Sequence, residues 1–528
     1  MTGMKLDFDL TLYLVTDSGM VPRGKTLPQV VDEAIQGGVT LVQLREKTAD
    51  TGDFIALARQ VQAVTRRHNV PLLINDRIDV ALAIDADGVH VGQDDMPLAE
   101  ARRLLGDHKI IGVSVQTPEH AEAAVCGGAD YLGIGACYDT ATKDLKNGSQ
   151  GPEGIRRVWE HAVSVGSSQA GAMRPVRAVT IGGVNSYNAV HVLICTRTTQ
   201  GNVPLDGLAV VSAIVAASDP REASQLLRKQ IAFAMQSSWV ACQLSEPPSR
   251  ELPQMRQAIA DVFDVTKSGA ITPLVQHITN PVVINDCANA CLAMGGSPMM
   301  ATDAQEQGDL APHVTSLVIN IGTLNPQQVA GMRAAMKEAR LRNTPITIDP
   351  VAVGATAYRS QVIRSFLRDF GAHIIKGNAG EIAALVGSDE MKLRGVDAIG
   401  RGFSDPGAVV RELSRRERCV VVMTGVVDYV SDGTSTFAVH NGHKLQGCIT
   451  GSGCMTGTAV ATYVHPVAHS DPLVGALAGM VAINLAGEHA ARRPDVRGPG
   501  TFRAAFIDEM YNLTKQDLLD EMNIERIH

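Results

Sequence analysis

Residues 450–454 read TGSGC and open an apolar run, 455–464, of helical character. Glycine lets a backbone come close to a ligand, and the first N–H groups of a helix have no partner inside it. With the helix dipole they make an anion site. Cys454 stands in the first turn, where a developing negative charge of phosphoryl transfer would be favoured. Alone, such a stretch is also what a Gly-rich turn capping a core helix looks like, with Cys454 a small buried hydrophobe. Its company is Asp349, Lys376, Asn378, Glu381, Thr424 and Gly425. Asn378 and Glu381 are three apart and share a helix face. They suit a hydrated Mg²⁺ beside nucleotide phosphates, or a reciprocal cap at a helix start.

A second group lies in the first half of the chain. Arg45, Lys47 and Lys143 carry the positive charge a pyrophosphate needs. Asp76 and Asp95 are hard oxygen ligands of the kind Mg²⁺ takes, together with water and phosphate oxygens.

The elements that must position these groups are legible as short apolar runs. Strands are expected at 12–17, 40–46, 72–77, 88–92, 110–115, 131–136, 177–183 and 207–214, with helical stretches between. Eight β/α alternations in roughly 230 residues point to a closed parallel (β/α)8 TIM barrel. A doubly wound open sheet is the alternative. In a barrel, functional side chains lie at the C-terminal strand ends. Gln43, Arg45 and Lys47, Asn75 and Asp76, Asp95, Ser114, Thr140 and Thr142, Gly183, Val211 and Ser212 all fall there. Residues 254–528 alternate less regularly, with strands at 274–279, 316–323, 345–350, 373–377 and 419–425. A hairpin turns at Asp432-Gly433, and an apolar helical region covers 471–492. This predicts an open α/β sheet with ligands beyond its C-terminal strand ends. The Pro- and Ser-rich stretch 238–253 reads as a linker between domains 1–237 and 254–528.

Composition narrows the function classes. At 528 residues, 45% apolar and 19% charged, the chain has ample core. A net charge of −8 gives no reason to expect nucleic acid or an anionic membrane as partner. Nine scattered cysteines without a C-x-x-C pair indicate reduced thiols and a cytoplasmic setting. Acidic residues near the N-terminus argue against a signal peptide, and no continuous apolar run of spanning length predicts a membrane helix.

The stretches LVQLREK (41–47), LINDR (73–77), GVHVGQDD (88–95), TATK (140–143), IGG (181–183) and Val211-Ser212 resemble thiamine-phosphate synthase. The resemblance implies that Gln43, Arg45, Lys47, Asn75, Ser114 and Lys143 hold a hydroxymethylpyrimidine diphosphate. By the same resemblance Asp76 and Asp95 hold Mg²⁺, and Thr140, Thr142, Gly183, Val211 and Ser212 hold a thiazole phosphate. Thiamine phosphate and pyrophosphate would result.

HITN (277–280), GGSPMM (295–300), NIGT (320–323), DPV (349–351), KGNAGE (376–381), VMTG (422–425) and TGSGC (450–454) resemble hydroxyethylthiazole kinase, a ribokinase-like family. This implies ATP-dependent phosphorylation of a thiazole alcohol, with ATP as co-substrate. Asn280, Met300 and Gly451 would line the thiazole site, and Lys376, Asn378 and Thr424 the ATP site. Asp349 and Glu381 would act through Mg²⁺. Cys454 takes the place of the catalytic Asp of related sugar kinases, and a thiol at a helix N-terminus is expected to have a lowered pKa. The whole chain resembles the fungal bifunctional enzymes of thiamine synthesis. The kinase resemblance implies a homo-oligomer through the second half, a trimer or hexamer. The same folds acting on other substrates, a phosphate-binding barrel with a sugar or pyrimidine kinase, or one half serving as a non-catalytic regulatory binding module, are the alternatives.

Overall fold

The computed structural model describes residues 7–140, 148–168, 176–236, 251–388, 391–394, 397–400, 403–464 and 471–528. The chain folds as two compact units, Met1–Gln236 and Ser237–His528. Helix Leu252–Lys267 already begins inside the stretch read as linker.

In the first unit β1 (Leu12–Val15), β2 (Leu41–Leu44), β3 (Leu72–Asn75), β4 (Gly88–Val91), β5 (Ile110–Val115), β6 (Tyr131–Gly135), β7 (Ala178–Ile181) and β8 (Gly207–Val210) close a parallel barrel. β8 returns onto β1, with Leu12 opposite Leu208. Each strand is buried on both faces, which explains why these runs lack a polar side. Alternate residues go to opposite layers. Leu12, Leu14, Val42, Leu44, Ile74, Val89 and Val91 pack outward against the helices. Tyr13, Val15, Leu41, Leu73, Ile110 and Tyr131 fill the barrel interior. That register sends Gln43, Asn75, His90 and Ser114 inward and toward the mouth. The eighth strand is shorter than expected: it ends at Val210, and Ser212–Val215 is a turn of helix. The chain leaves the sheet at Val211 (φ −117°, ψ −88°), so the β-branched residues after it follow the turn and not their strand propensity.

The second unit has a mixed sheet in the order β10-β9-β11-β12-β13-β16-β17-β18-β19. The strands are β9 (Leu274–Ile278), β10 (Ser297–Met299), β11 (Ser316–Asn320), β12 (Ile346–Asp349), β13 (Ile374–Asn378), β16 (Val420–Thr424), β17 (Asp428–Ser431), β18 (Thr436–Val439) and β19 (Ile524–Arg526). From β10 to β16 the pairing is parallel; β17, β18 and β19 add an antiparallel edge. A separate antiparallel pair is β14 (Met391–Arg394) with β15 (Asp397–Gly400).

Helix Pro472–Arg492 is long and apolar enough to cross a membrane, but 89% of its most apolar window is buried inside the unit. It is the core helix here, apolar all round because it is surrounded. Its glycines seat the helix Ser452–Tyr463. A Cβ on Gly479 would lie 2.6 Å from the Val460 backbone, and one on Gly475 2.5 Å from Tyr463 O. This backbone-to-backbone packing holds the C-terminal turns of the helix whose first turn carries Cys454.

Candidate active sites

One cavity opens at the C-terminal ends of the barrel strands. Gln43, Arg45, Lys47, Asn75, Asp76, Asp95, Ser114, Thr140, Gly183, Val211 and Ser212 all line it. Thr142 and Lys143 lie outside the described residues. Asp76, directly after β3, adopts a left-handed backbone (φ 60°). It pairs with Lys47. Asp95 accepts the Gly92 N–H at 2.7 Å; burial and then the neighbouring Asp76 carboxylate push its pKa up. Two carboxylates held side by side in a half-buried mouth suit a hard cation with open positions for phosphate oxygens. Arg45 contacts Asp17 at 3.2 Å. Gly182 and Gly183 both have positive φ, and a Cβ on Gly183 would meet Tyr138 Cβ at 2.6 Å.

A buried hydrogen-bonded row forms the floor. Gln43 Nε2 donates to Tyr13 OH at 2.5 Å, and Tyr13 OH lies 2.7 Å from Tyr131 OH. Tyr131 OH is 2.8 Å from His90 Nδ1, and His90 Nε2 is 2.9 Å from Ser114 Oγ. Burial keeps both phenols protonated.

In the second unit polar groups converge where β9, β11, β12 and β13 end. Asn320 Nδ2 lies 3.0 Å from Asp349 Oδ2 and 3.2 Å from Cys454 Sγ. Asn280 Nδ2 lies 3.0 Å from Asn320 Oδ1 and 3.8 Å from the same sulfur. Lys376 Nζ is 3.6 Å from Asp349 Oδ1, with both side chains buried. That oxygen is buried and accepts no hydrogen bond among the described residues. Gly453 permits the approach: a Cβ there would sit 3.3 Å from Lys376 Nζ. Burial raises the Asp349 pKa, and burial followed by Asp349 brings Glu381 to about 7. Burial would lower Lys376, but the Asp349 and Glu381 charges outweigh it and hold its proton.

The cysteine does not have the lowered pKa expected of a helix N-terminus. Burial, and then Asp349 beside it, push Cys454 up to about 11. Desolvating a thiolate next to a carboxylate outweighs the helix dipole. Glu381 also differs from a free metal ligand. It completes a reciprocal cap with Asn378, giving one oxygen to Asn378 N and the other to Ala352 N, each at 2.8 Å. Thr424 Oγ1 reaches Gly377 O at 3.5 Å. Gly451 (φ 89°) is the N-cap of the Cys454 helix, where a Cβ would meet Val283 at 2.8 Å. Met300 follows β10 and is half-buried.

Two family models match along the chain: "Thiamine monophosphate synthase" over residues 12–214 and "Hydroxyethylthiazole kinase family" over 265–516. A probable thiamine biosynthetic bifunctional enzyme of Schizosaccharomyces pombe is 40% identical over 99% of both chains. The thiamine biosynthetic bifunctional enzyme of Saccharomyces cerevisiae is 36% identical over 97% of each. The chain belongs to this bifunctional thiamine biosynthetic enzyme family. A hydroxyethylthiazole kinase of Methanocorpusculum labreanum is 39% identical, covering 51% of this chain and 98% of its own.

Sequence reasoning assigned no role to several polar residues at the two candidate sites. Tyr13, His90, Tyr131 and Asn320 each sit in an otherwise apolar strand. An inward polar residue in a strand buried on both faces was the available signal. Arg359 was also missed; it binds Ile321 O, Val351 O and Gly322 O at 2.5–2.9 Å, tying together the loops that follow β11 and β12. It stands only eight residues after Val351 but 37 and 38 after Gly322 and Ile321, so nothing local showed that it joins the two loops.

Proposed function

We propose that the second unit phosphorylates a hydroxyethylthiazole at its primary alcohol with ATP. The barrel then joins that thiazole phosphate to a hydroxymethylpyrimidine diphosphate. The observation that carries this reading is the convergence of every described barrel residue singled out in the sequence on one strand-end cavity.

In the barrel, Lys47 and Arg45 face the diphosphate, and Asp76 with Asp95 would hold Mg²⁺. The ion supplies charge neutralisation for the departing pyrophosphate. Gln43, Asn75 and Ser114 hold the pyrimidine. Thr140, Gly183 and the start of the Ser212 helix hold the thiazole phosphate; the C–O bond to pyrophosphate breaks first, and the thiazole ring nitrogen then closes on the pyrimidine methylene carbon. An electron-rich aminopyrimidine stabilises the carbon cation, so the residues mainly position and neutralise.

In the second unit Asn280, Met300 and Gly451 line the alcohol's pocket, and Lys376, Asn378 and Thr424 face the nucleotide. Asp349 keeps one buried oxygen that accepts no hydrogen bond among the described residues and faces Lys376 Nζ at 3.6 Å, which suits a hydrated Mg²⁺, and Glu381 supports it from the cap. Loose phosphoryl transfer asks little of a base. Cys454 therefore acts as a neutral, positioned thiol held by Asn320 and Asn280, while the helix N–H groups meet the developing charge. Exposed Leu292 and Tyr511 share one groove on this unit and support a homo-oligomer; light scattering with Leu292→Asp tests it.

Purified full-length chain, given ATP, Mg²⁺ and a panel of primary alcohols, tests the assignment. Phosphorylation of the thiazole alcohol well above sugars and pyrimidine alcohols supports it. A sugar as preferred acceptor would reject it.

A further inference from the structure

The floor of the barrel cavity forms one continuous row of hydrogen bonds from Gln43 to Ser114. The row closes from both ends because each phenol has a single proton. With Gln43 Nε2 donating to Tyr13, the Tyr13 proton goes to Tyr131. The Tyr131 proton then goes to His90 Nδ1, which leaves the imidazole proton on Nε2, facing Ser114 Oγ. Ser114, accepting from His90, turns its own proton to the cavity. Gln43, donating to Tyr13, has its carbonyl oxygen left for a ligand. Both residues line the cavity.

With neutral phenols and a singly protonated imidazole, reversing any one bond reverses the whole row, the Gln43 amide turning over with it. The polarity at Gln43 is therefore tied to the polarity at Ser114. Room for the row is built into two glycines. A Cβ on Gly112 would lie 2.3 Å from Tyr131 OH, and one on Gly133 2.9 Å from His90 Cε1. Glycine inside a strand often marks such a close approach.

We propose that this row is a specificity device. Tyr13, Tyr131 and His90 are positioning residues that couple an acceptor at Gln43 to a donor at Ser114. A ring offering an exocyclic amine and an in-ring lone pair matches both ends. Its 4-oxo counterpart, with a carbonyl and an N–H, mismatches both, and is matched only when the Gln43 amide, both phenols, the His90 tautomer and Ser114 all reverse together. The proposal rests on the pyrimidine reading of the cavity and adds which protonation pattern the cavity reads.

Sites that read a substrate's hydrogen bonds discriminate by about 10⁴-fold. The test compares kcat/KM of the full chain for the 4-amino and 4-oxo pyrimidine diphosphates, in wild type and in Tyr131→Phe, which breaks the row at its centre. The amino-over-oxo ratio is expected to fall at least about tenfold in Tyr131→Phe. An unchanged ratio overturns the proposal. Should that variant not fold, ¹⁵N spectra of histidine-labelled wild type, assigned by His90→Asn, decide: His90 protonated on Nε2 supports the row, and protonation on Nδ1 overturns it. If wild type couples neither compound, the pyrimidine reading fails and the specificity claim falls with it. The imidazole spectrum then separately reports whether the row has its direction.

Discussion

Asn320 Nδ2 stands 3.2 Å from the Cys454 sulfur, on the side where Asp349 lies. The thiol is thus held by amide groups in a buried, carboxylate-bearing corner, and burial pushes its pKa to about 11. Alkylation of Cys454 by iodoacetamide, followed by mass spectrometry, should accelerate without a plateau through pH 9.5. A plateau below pH 8 would mean an activated thiolate. Cys454→Ala should lower thiazole kinase turnover about tenfold, the loss of a positioning contact. An essential general base contributes about 10²–10⁴-fold, and a loss of that size would restore the base assignment.

Asp428 offers a pH signature in the same unit. It accepts Gly425 N–H at 2.8 Å and Asn484 Nδ2 at 2.6 Å, yet burial raises its pKa from 3.8 to about 6. The folded value lies above the unfolded one. Its favourable contribution is therefore full below pH 3.8 and lost as pH rises through about 6. The Tm of Asp428→Asn relative to wild type should climb between pH 4 and 7. A constant difference over that range would refute the assignment.

Gly112 lies under the Tyr131 ring, and a Cβ there would be 2.0 Å from Tyr131 Cζ. Overpacking of this kind costs about 1–3 kcal/mol. Gly112→Ala should shift the urea midpoint accordingly and depress coupling, because Tyr131 moves. Unchanged coupling would show that the barrel floor tolerates displacement.

Much of this was readable beforehand, and what was not has physical causes. The barrel strands declared themselves because parallel strands buried on both faces must be short apolar runs. The cavity residues followed from their place at strand ends. The edge strand β19 has only the residues IER, too few to show a period, and is a strand because β18 needs a partner. Asn378 and Glu381 were legible as a pair, and their spacing allowed both a cap and a metal role; the structure shows the cap. The Cys454 pKa could not be read from its helix position, since burial beside Asp349 is a tertiary fact.

Arg359 makes a separable prediction. Its guanidinium binds three carbonyls in the loops after β11 and β12. Each bond from a charged donor is worth about 1.5–3 kcal/mol. Arg359→Lys keeps the charge and loses the fork. Kinase turnover should fall at least tenfold in it while coupling of preformed thiazole phosphate is unaffected. Equal loss of both activities would indicate general unfolding and not slackened loops.

Complementation by an added intermediate bears most directly on two consecutive reactions in one chain. Full-length Asp349→Ala and Asp95→Ala are each given thiazole alcohol, ATP, pyrimidine diphosphate and Mg²⁺, and thiamine phosphate is measured with and without added thiazole phosphate. Asp349→Ala should make almost no product until thiazole phosphate is supplied, and then match wild type. Asp95→Ala should stay about 10²-fold or more below wild type in both conditions while still consuming ATP to phosphorylate the alcohol. Rescue of Asp95→Ala by thiazole phosphate, or failure to rescue Asp349→Ala, would contradict the account.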